Sequence, residues 1–396
     1  MRRNAVLCPA ASQQPQTPAP RRADAAPVSQ SLNFENLEEI DMNTAHLQYV
    51  LANLKAAGLS QVIISDPDSI YYLTGFDCAP GERLLAFLVK TDGTARLFCN
   101  HMFPVPADID SKLYDDADDS LGMLARDLDA GKCGIDKTLR ASFLLGLMDK
   151  RPDVQPVLGS APVDDARMCK DAEELEKMRF ASNLNDATMD EILKNFPKDK
   201  TEAEVSRIIS DVHMRRGTDY PGEYIVCYGV TGGEPHHVSD DHRLHKGDSI
   251  TLDVFAPVNH YWCDMTRTVF YGSVSDEQRK VYEAVKAANE AGIAAVRPGV
   301  KMKDIDRAAR KVIEDAGYGK YFTHRLGHGI GLACHEFPDC SGVCETITRP
   351  GMCFSIEPGI YLPGKFGVRI EDLVTVTEDG VEVFNHYSKD LIVLPE

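Results

Sequence analysis

Two stretches constrain this chain more than any other feature, because each sets acids inside runs that otherwise read as buried strands. The first is SITLDVFAPVNHYWCDMTRTVF, residues 249–270. β-Branched and aromatic residues dominate it on both sides of a turn-like Pro257-Val258-Asn259-His260. A hairpin folded symmetrically about Val258 and Asn259 sets Asp253 directly opposite Asp264, with Cβ atoms about 4.5–5.5 Å apart. The second is MCFSIEPGIYLPGKFGVRIEDLVTV, residues 352–376. Pro363-Gly364 marks its turn, and folding about Gly364 sets Glu357 opposite Glu371.

Like charges that face each other across a ladder destabilise it, and Asp is disfavoured in strands to begin with. The flanking Ile, Leu, Val and Phe place these acids in partly buried strands. A buried carboxylate must be protonated, paired or bound to metal. Arg267 and Arg369 can pair with one or two of the four, and two divalent cations match the charge of all four. Taken alone, any one of these acids reads equally well as an edge residue or a cap. Two symmetric pairs do not.

A third stretch, RLGHGIGLACHEFP (residues 325–338), carries His328, His335 and Glu336 beside Gly327, Gly329 and Gly331. A zinc-protease helix spaces its histidines at i and i+4 and excludes this much glycine. Here the backbone bends to present side chains. With one neutral imidazole as a nitrogen ligand the acids would form a carboxylate-bridged dinuclear centre, and His328 can reach a metal there. His335 approaches from another side, and His236 in GEPHHVSD is a candidate polar group outside the ligand set. His237, Ser239 and the aspartates after them read as loop surface.

Around these motifs, residues 43–160 alternate helix and strand, with a turn at Asp66-Pro67-Asp68 and a hairpin about Thr91-Asp92-Gly93-Thr94. From Asp171 onward, helices and strands come in blocks, which indicates α+β. Asp171 with Glu174, Thr201 with Glu204, and Ser275 with Gln278 are capping-box patterns that start three helices. Residues 1–42 are rich in Pro, Ala, Gln and Arg, and read as a disordered leader, an organelle address or a start called too early, with Met42 the true beginning. A net charge of −18 argues against nucleic acid. No apolar run approaches the ~20 residues of a membrane span. Eleven scattered cysteines without a CxxC pair read as thiols kept reduced in the cytoplasm. The cluster Cys334, Cys340 and Cys344 as a soft-metal site is the weaker reading.

The order Asp253, Asp264, His328, Glu357, Glu371 resembles the pita-bread metallopeptidases, family M24. The matching text is LDVFAPVNHYWCDMTRT, HRLGHGIGLACHE, SIEPGIY and GVRIEDLVTVTEDG, and the Pro235-His236 pair is similar to the proline-specific branch. ISDPDSIYYLTGF and LLAFLVKTDG look like that branch's N-terminal domain. The resemblance implies a creatinase-type α/β domain over 43–160 and a pita-bread domain over 161–396. It implies two divalent ions, Mn²⁺ first, with Co²⁺, Fe²⁺ or Zn²⁺ as alternatives, and a bridging hydroxide as nucleophile. His236, His335, Glu357 and Arg369 would be the catalytic groups: His236 or His335 on the oxyanion, Glu357 as proton carrier, and Arg369 either on a substrate carboxylate or holding the acids. The substrate would be a small peptide with proline second, cleaved by an Xaa-Pro dipeptidase or, on longer peptides, by aminopeptidase P; the enzyme would be a homodimer. The alternative of another class is a non-catalytic binding protein on this scaffold. Phe255 and Cys263 depart from the pattern, which usually has Gly and Ser there. Phe255 should share the face of Asp253 and narrow the pocket, and Cys263 should point away.

Overall fold

Asp66-Pro67-Asp68 is not a turn but the start of a helix. Asp66 accepts the Ser69 N–H at 3.1 Å as an N-cap, and Pro67 takes the first helical position, where its missing N–H costs nothing. The computed structural model describes residues 43–222 and 224–396; the leader expected over residues 1–42 lies outside them.

In chain order the first elements are α1 (Thr44–Ala56), β1 (Gln61–Ile64), α2 (Pro67–Thr74), β2 (Ala86–Lys90), β3 (Ala95–Asn100), β4 (Ser111–Tyr114), α3 (Ser120–Asp127), β5 (Gly131–Ile135), α4 (Ala141–Lys150), β6 (Val154–Leu158) and α5 (Ala161–Met168). Their strands make one mixed six-stranded sheet, ordered β4-β3-β2-β1-β5-β6. Next come α6 (Ala172–Lys194), α7 (Glu202–Arg216), β7 (Ile225–Tyr228), β8 (Ser249–Val258), β9 (Tyr261–Tyr271), α8 (Asp276–Ala295) and α9 (Met302–Asp315). The chain ends with β10 (Gly327–Gly329), β11 (Glu336–Cys340), β12 (Cys353–Ile356), β13 (Gly359–Leu362), β14 (Phe366–Arg369), β15 (Asp372–Val376), β16 (Val381–Val383) and β17 (Val393–Leu394).

All three capping boxes form, each with both of its hydrogen bonds, and they start α6, α7 and α8. Helices α6 and α7 cover the sheet β17-β9-β8-β7. Ile250, Leu252 and Val254 of β8 pack there against Ile192, Ile209 and Val212. Strand periodicity then turns Thr251, Asp253 and Phe255 to the opposite face. Helices α8 and α9 cover the sheet β11-β10-β12-β15-β16 in the same way, with Val281, Val285 and Ile305 against Phe354, Ile356 and Val374. The acids occupy the faces that these helices leave free. One apolar cluster runs from Leu47, Val50 and Phe87 through Met178 to Tyr261, Leu332 and Leu373, so the six-stranded region and the later sheets share a continuous core.

Candidate metal centre

The first hairpin closes later than its residue pattern implies. The ladder pairs Val258 with Tyr261, Asp253 with Thr266, and Phe255 with Asp264. Asn259 and His260 form the two-residue turn, both left-handed at φ 51° and 69°. His260 tolerates this because Asp219 accepts the N–H groups of Asn259 and His260 at 2.9 and 2.7 Å, and its ring stacks on Tyr71 at 4.2 Å. Asp253 is therefore diagonal to Asp264, not opposite it. The slip is two residues, so both acids keep the same face. The second hairpin holds the expected register: Gly359 pairs with Arg369 and Ile356 with Asp372. Glu357 and Glu371 thus fall opposite each other in the gap between the two ladders.

Asp264, His328 and Glu371 offer ligand atoms that all lie within 4.8 Å of one another. His328 Nε2 is 3.5 Å from Glu357 Oε1 and 3.8 Å from Asp264 Oδ2. Its Nδ1 faces the Gly329 carbonyl at 3.1 Å, which keeps the ring proton there and leaves the Nε2 lone pair to the acids. Each acid is tethered by one oxygen or less. Thr266 donates to Glu371 Oε2 at 2.7 Å, Arg369 Nη2 to Asp253 Oδ2 at 2.7 Å, and Ser355 to Glu357 Oε1 at 3.2 Å. Asp253 Oδ1, Asp264 Oδ1 and Glu371 Oε1 are buried with no hydrogen-bond partner. Orphaned buried oxygens in a cluster of four carboxylates with one guanidinium are costly, and a divalent-cation site explains them. The donor set fits hard or borderline metals.

Electrostatics follow from this crowding. Burial, then Glu371, Asp253 and Glu357, push the Asp264 carboxyl far above its usual range. Burial, with Glu357 and Asp253, does the same to Glu371. Burial raises Glu357 to about 7 although Arg369 opposes it. The imidazole of His328 is held neutral, pushed down to about 3 by burial and then by His335.

The glycines serve close approach. A Cβ on Gly327 would lie 1.8 Å from the Ser355 carbonyl oxygen, and one on Gly329 would lie 2.7 Å from that of Phe337. Only a bare backbone brings His328 between β12 and β11.

The remaining expected residues distribute as follows. His335 is exposed at the lip, with its ring centroid 4.2 Å from that of His328. His236 is also exposed. Arg369 is buried and spends its N–H groups on Thr266, Asp253, Tyr361 and the Pro235 carbonyl, so it holds the acids and leaves little for a substrate carboxylate. Arg267 reaches none of the four acids. It pairs with Asp372 at 2.7 Å and caps the carbonyls of Glu371 and Tyr387. His237 and Ser239 are not loop surface: His237 binds the fully buried Glu202 at 2.8 Å, and Ser239 accepts the Val226 N–H. Cys263 points away from the acids, into Ala181 and Leu184. Phe255 lies beside Trp262 and Tyr224 on the acids' face. Of the clustered cysteines, Cys334 touches Asp264 at 3.6 Å, whereas Cys340 donates to the Met302 carbonyl.

Thr266, Ser355, Tyr361 and His324 were not anticipated. Tyr361 links Arg369 to His324, whose Nε2 lies 2.8 Å from the phenol oxygen. Thr266 stands two residues from Asp264 on β9, and Ser355 two residues before Glu357 at the end of β12, so strand parity is a usable signal for them. For Tyr361 and His324 there was none.

A helix-covered pair of sheets that enclose carboxylates and one neutral imidazole, packed against a six-stranded region through a shared core, is a metallohydrolase scaffold. Residues 176–378 match the model of metallopeptidase family M24, and residues 46–169 match the creatinase/prolidase N-terminal domain. The chain belongs to metallopeptidase family M24. It is 35% identical over 340 residues to an uncharacterized peptidase of Staphylococcus aureus, which covers 82% of this chain and 94% of that one. A dipeptidase from Pyrococcus horikoshii OT3 superposes with a TM-score of 0.84 at 35% identity, over 88% of this chain and all of that one. A prolidase from Thermococcus sibiricus does so at 0.84 and 30% identity, over 89% and 99%.

Proposed function

We propose that this chain is an Xaa-Pro dipeptidase that holds two divalent ions, Mn²⁺ first among them. We take residues 43–160 as its N-terminal domain and residues 161–396 as its catalytic domain. The three orphaned, buried carboxylate oxygens of Asp253, Asp264 and Glu371 carry this reading, and similarity to a prolidase supports the substrate class. Asp264, His328 and Glu371 would hold one or both ions, and Asp253 and Glu357 would complete the set. Such ions supply Lewis acidity toward a peptide carbonyl and lower the pKa of water.

The chain's own groups do the rest. Glu357 would take up the proton released by the attacking water and hand it to the leaving proline nitrogen, which has no N–H of its own. His335 or His236, at the lip, would donate to the oxygen on which negative charge develops. Arg369 and Thr266 fix Asp253 and Glu371 in place.

Every cysteine among the described residues is unpaired, which supports a reducing cytoplasm. We propose a homodimer there. Purified protein loaded with Mn²⁺ should hydrolyse Ala-Pro faster than Ala-Pro-Ala and lose activity to a chelator. Faster turnover of the tripeptide would make the enzyme an aminopeptidase. Absence of both metal and turnover would leave a binding protein on the same scaffold.

A further inference from the structure

Glu336 follows His335 directly, yet its side chain is buried, 6% exposed, and takes no part in the chemistry above. It accepts the Ala333 N–H at 2.9 Å, closing the tight bend that carries Cys334 and His335. It also meets two cations: Arg167 Nη2, and Lys170 Nζ at 3.1 Å. Lys170 is 1% exposed. The opposite prong of Arg167 reaches Asp66 at 2.7 Å and Ser69 Oγ at 2.9 Å. Asp66 is the N-cap of α2 in the N-terminal region. One guanidinium thus grips a helix start in the N-terminal region and the base of the His335 bend. The carboxylates of Asp66 and Glu336 thus match the charges of Arg167 and Lys170. Burial would raise the Glu336 carboxyl, but Arg167 and Lys170 hold it down to about 2. Gly331 belongs to this device as well: a Cβ there would lie 2.7 Å from Lys170 Cε and 2.9 Å from Glu336 Oε2.

We infer that Arg167, assisted by Lys170, is a positioning residue that couples the seating of the N-terminal domain to the placement of His335 over the metal centre. A fork is required, since an ammonium cannot span both carboxylates in one plane. The kinetic part of this inference rests on the hydrolase reading; the geometric part does not.

The test is a mutant cycle on the full chain. Arg167→Gln and Glu336→Gln should keep the metal content of the wild type and its KM for Ala-Pro, while kcat falls about 10²-fold, the scale of a misplaced catalytic group. In a His335→Ala background, Arg167→Gln should change kcat by less than about twofold, because the effect runs through His335. Additive losses would overturn the inference. A second readout needs no turnover. In metal-free protein the His335 imidazole NMR resonances should shift in Arg167→Gln and also in Asp66→Asn. Asparagine caps a helix as well as aspartate does, so this second variant folds even where Arg167→Gln fails. Unmoved resonances in Asp66→Asn would overturn the coupling. Shifted resonances in a protein that hydrolyses no Xaa-Pro peptide would sustain the coupling and sink the hydrolase reading alone.

Discussion

The acids of the centre should make the metal-free protein lose stability as the pH rises, and Glu357 lets that be measured. Its folded pKa is about 7, against 4.5 for an ordinary glutamate. A raised carboxyl binds its proton more tightly in the native state. Its contribution is therefore fully present below pH 4.5 and lost as the pH climbs through 7. At ~1.4 kcal/mol per pKa unit, the loss is on the order of 3 kcal/mol. Buried neutral histidines work in the opposite sense. His213, His324 and His328 are lowered to about 4, 4 and 3, so the unfolded chain gains protons first as the pH falls. Their slope is common to wild type and Glu357→Gln, and it cancels in the difference. Urea unfolding of chelated protein at pH 4.5, 6, 7 and 8 measures that difference. Relative to wild type, the variant should gain about 3 kcal/mol between the lowest and highest pH. Saturating metal should abolish the trend in the wild type, since bound ions keep the carboxylate ionised. A difference that stays flat with pH in metal-free protein would refute the burial argument.

Asp264→Ala and His328→Ala should each lose bound metal, measured by elemental analysis, and with it all detectable hydrolysis. His335→Ala should keep its metal and lose about 10²–10⁴-fold in kcat, and normal turnover would remove His335 from the chemistry. Gly327→Ala, which drives a Cβ into the Ser355 carbonyl, should destabilise the fold by more than about 3 kcal/mol in denaturant unfolding, and a neutral result would show that β10 and β12 separate easily.

Much of this molecule was legible before its three-dimensional structure. Local hydrogen-bond chemistry made the three capping boxes readable, because each needs only residues three apart. Strand parity made it readable that Asp253 and Asp264 share a face, and Pro363-Gly364 marked the second hairpin's centre. The first hairpin's register was not readable. An Asn-His turn at positive φ is locally unfavourable, and Asp219 and Tyr71, both distant in sequence, make it hold. The same limit applies to Asp66-Pro67-Asp68, which reads alike as a turn or a helix start until Ser69 and Arg167 are seen to occupy its carboxylate.

The residue order alone thus singled out the acids and the imidazole that the structure gathers into one cluster, and the strand faces they occupy, because both follow from composition and a period of two. Tertiary structure alone decided what those groups touch: that Arg369 is committed to Asp253 and Thr266, that Arg267 serves Asp372, and that Glu336 is buried against Arg167. Partners 100 or more residues apart are chosen by packing, which leaves no periodic trace along the chain.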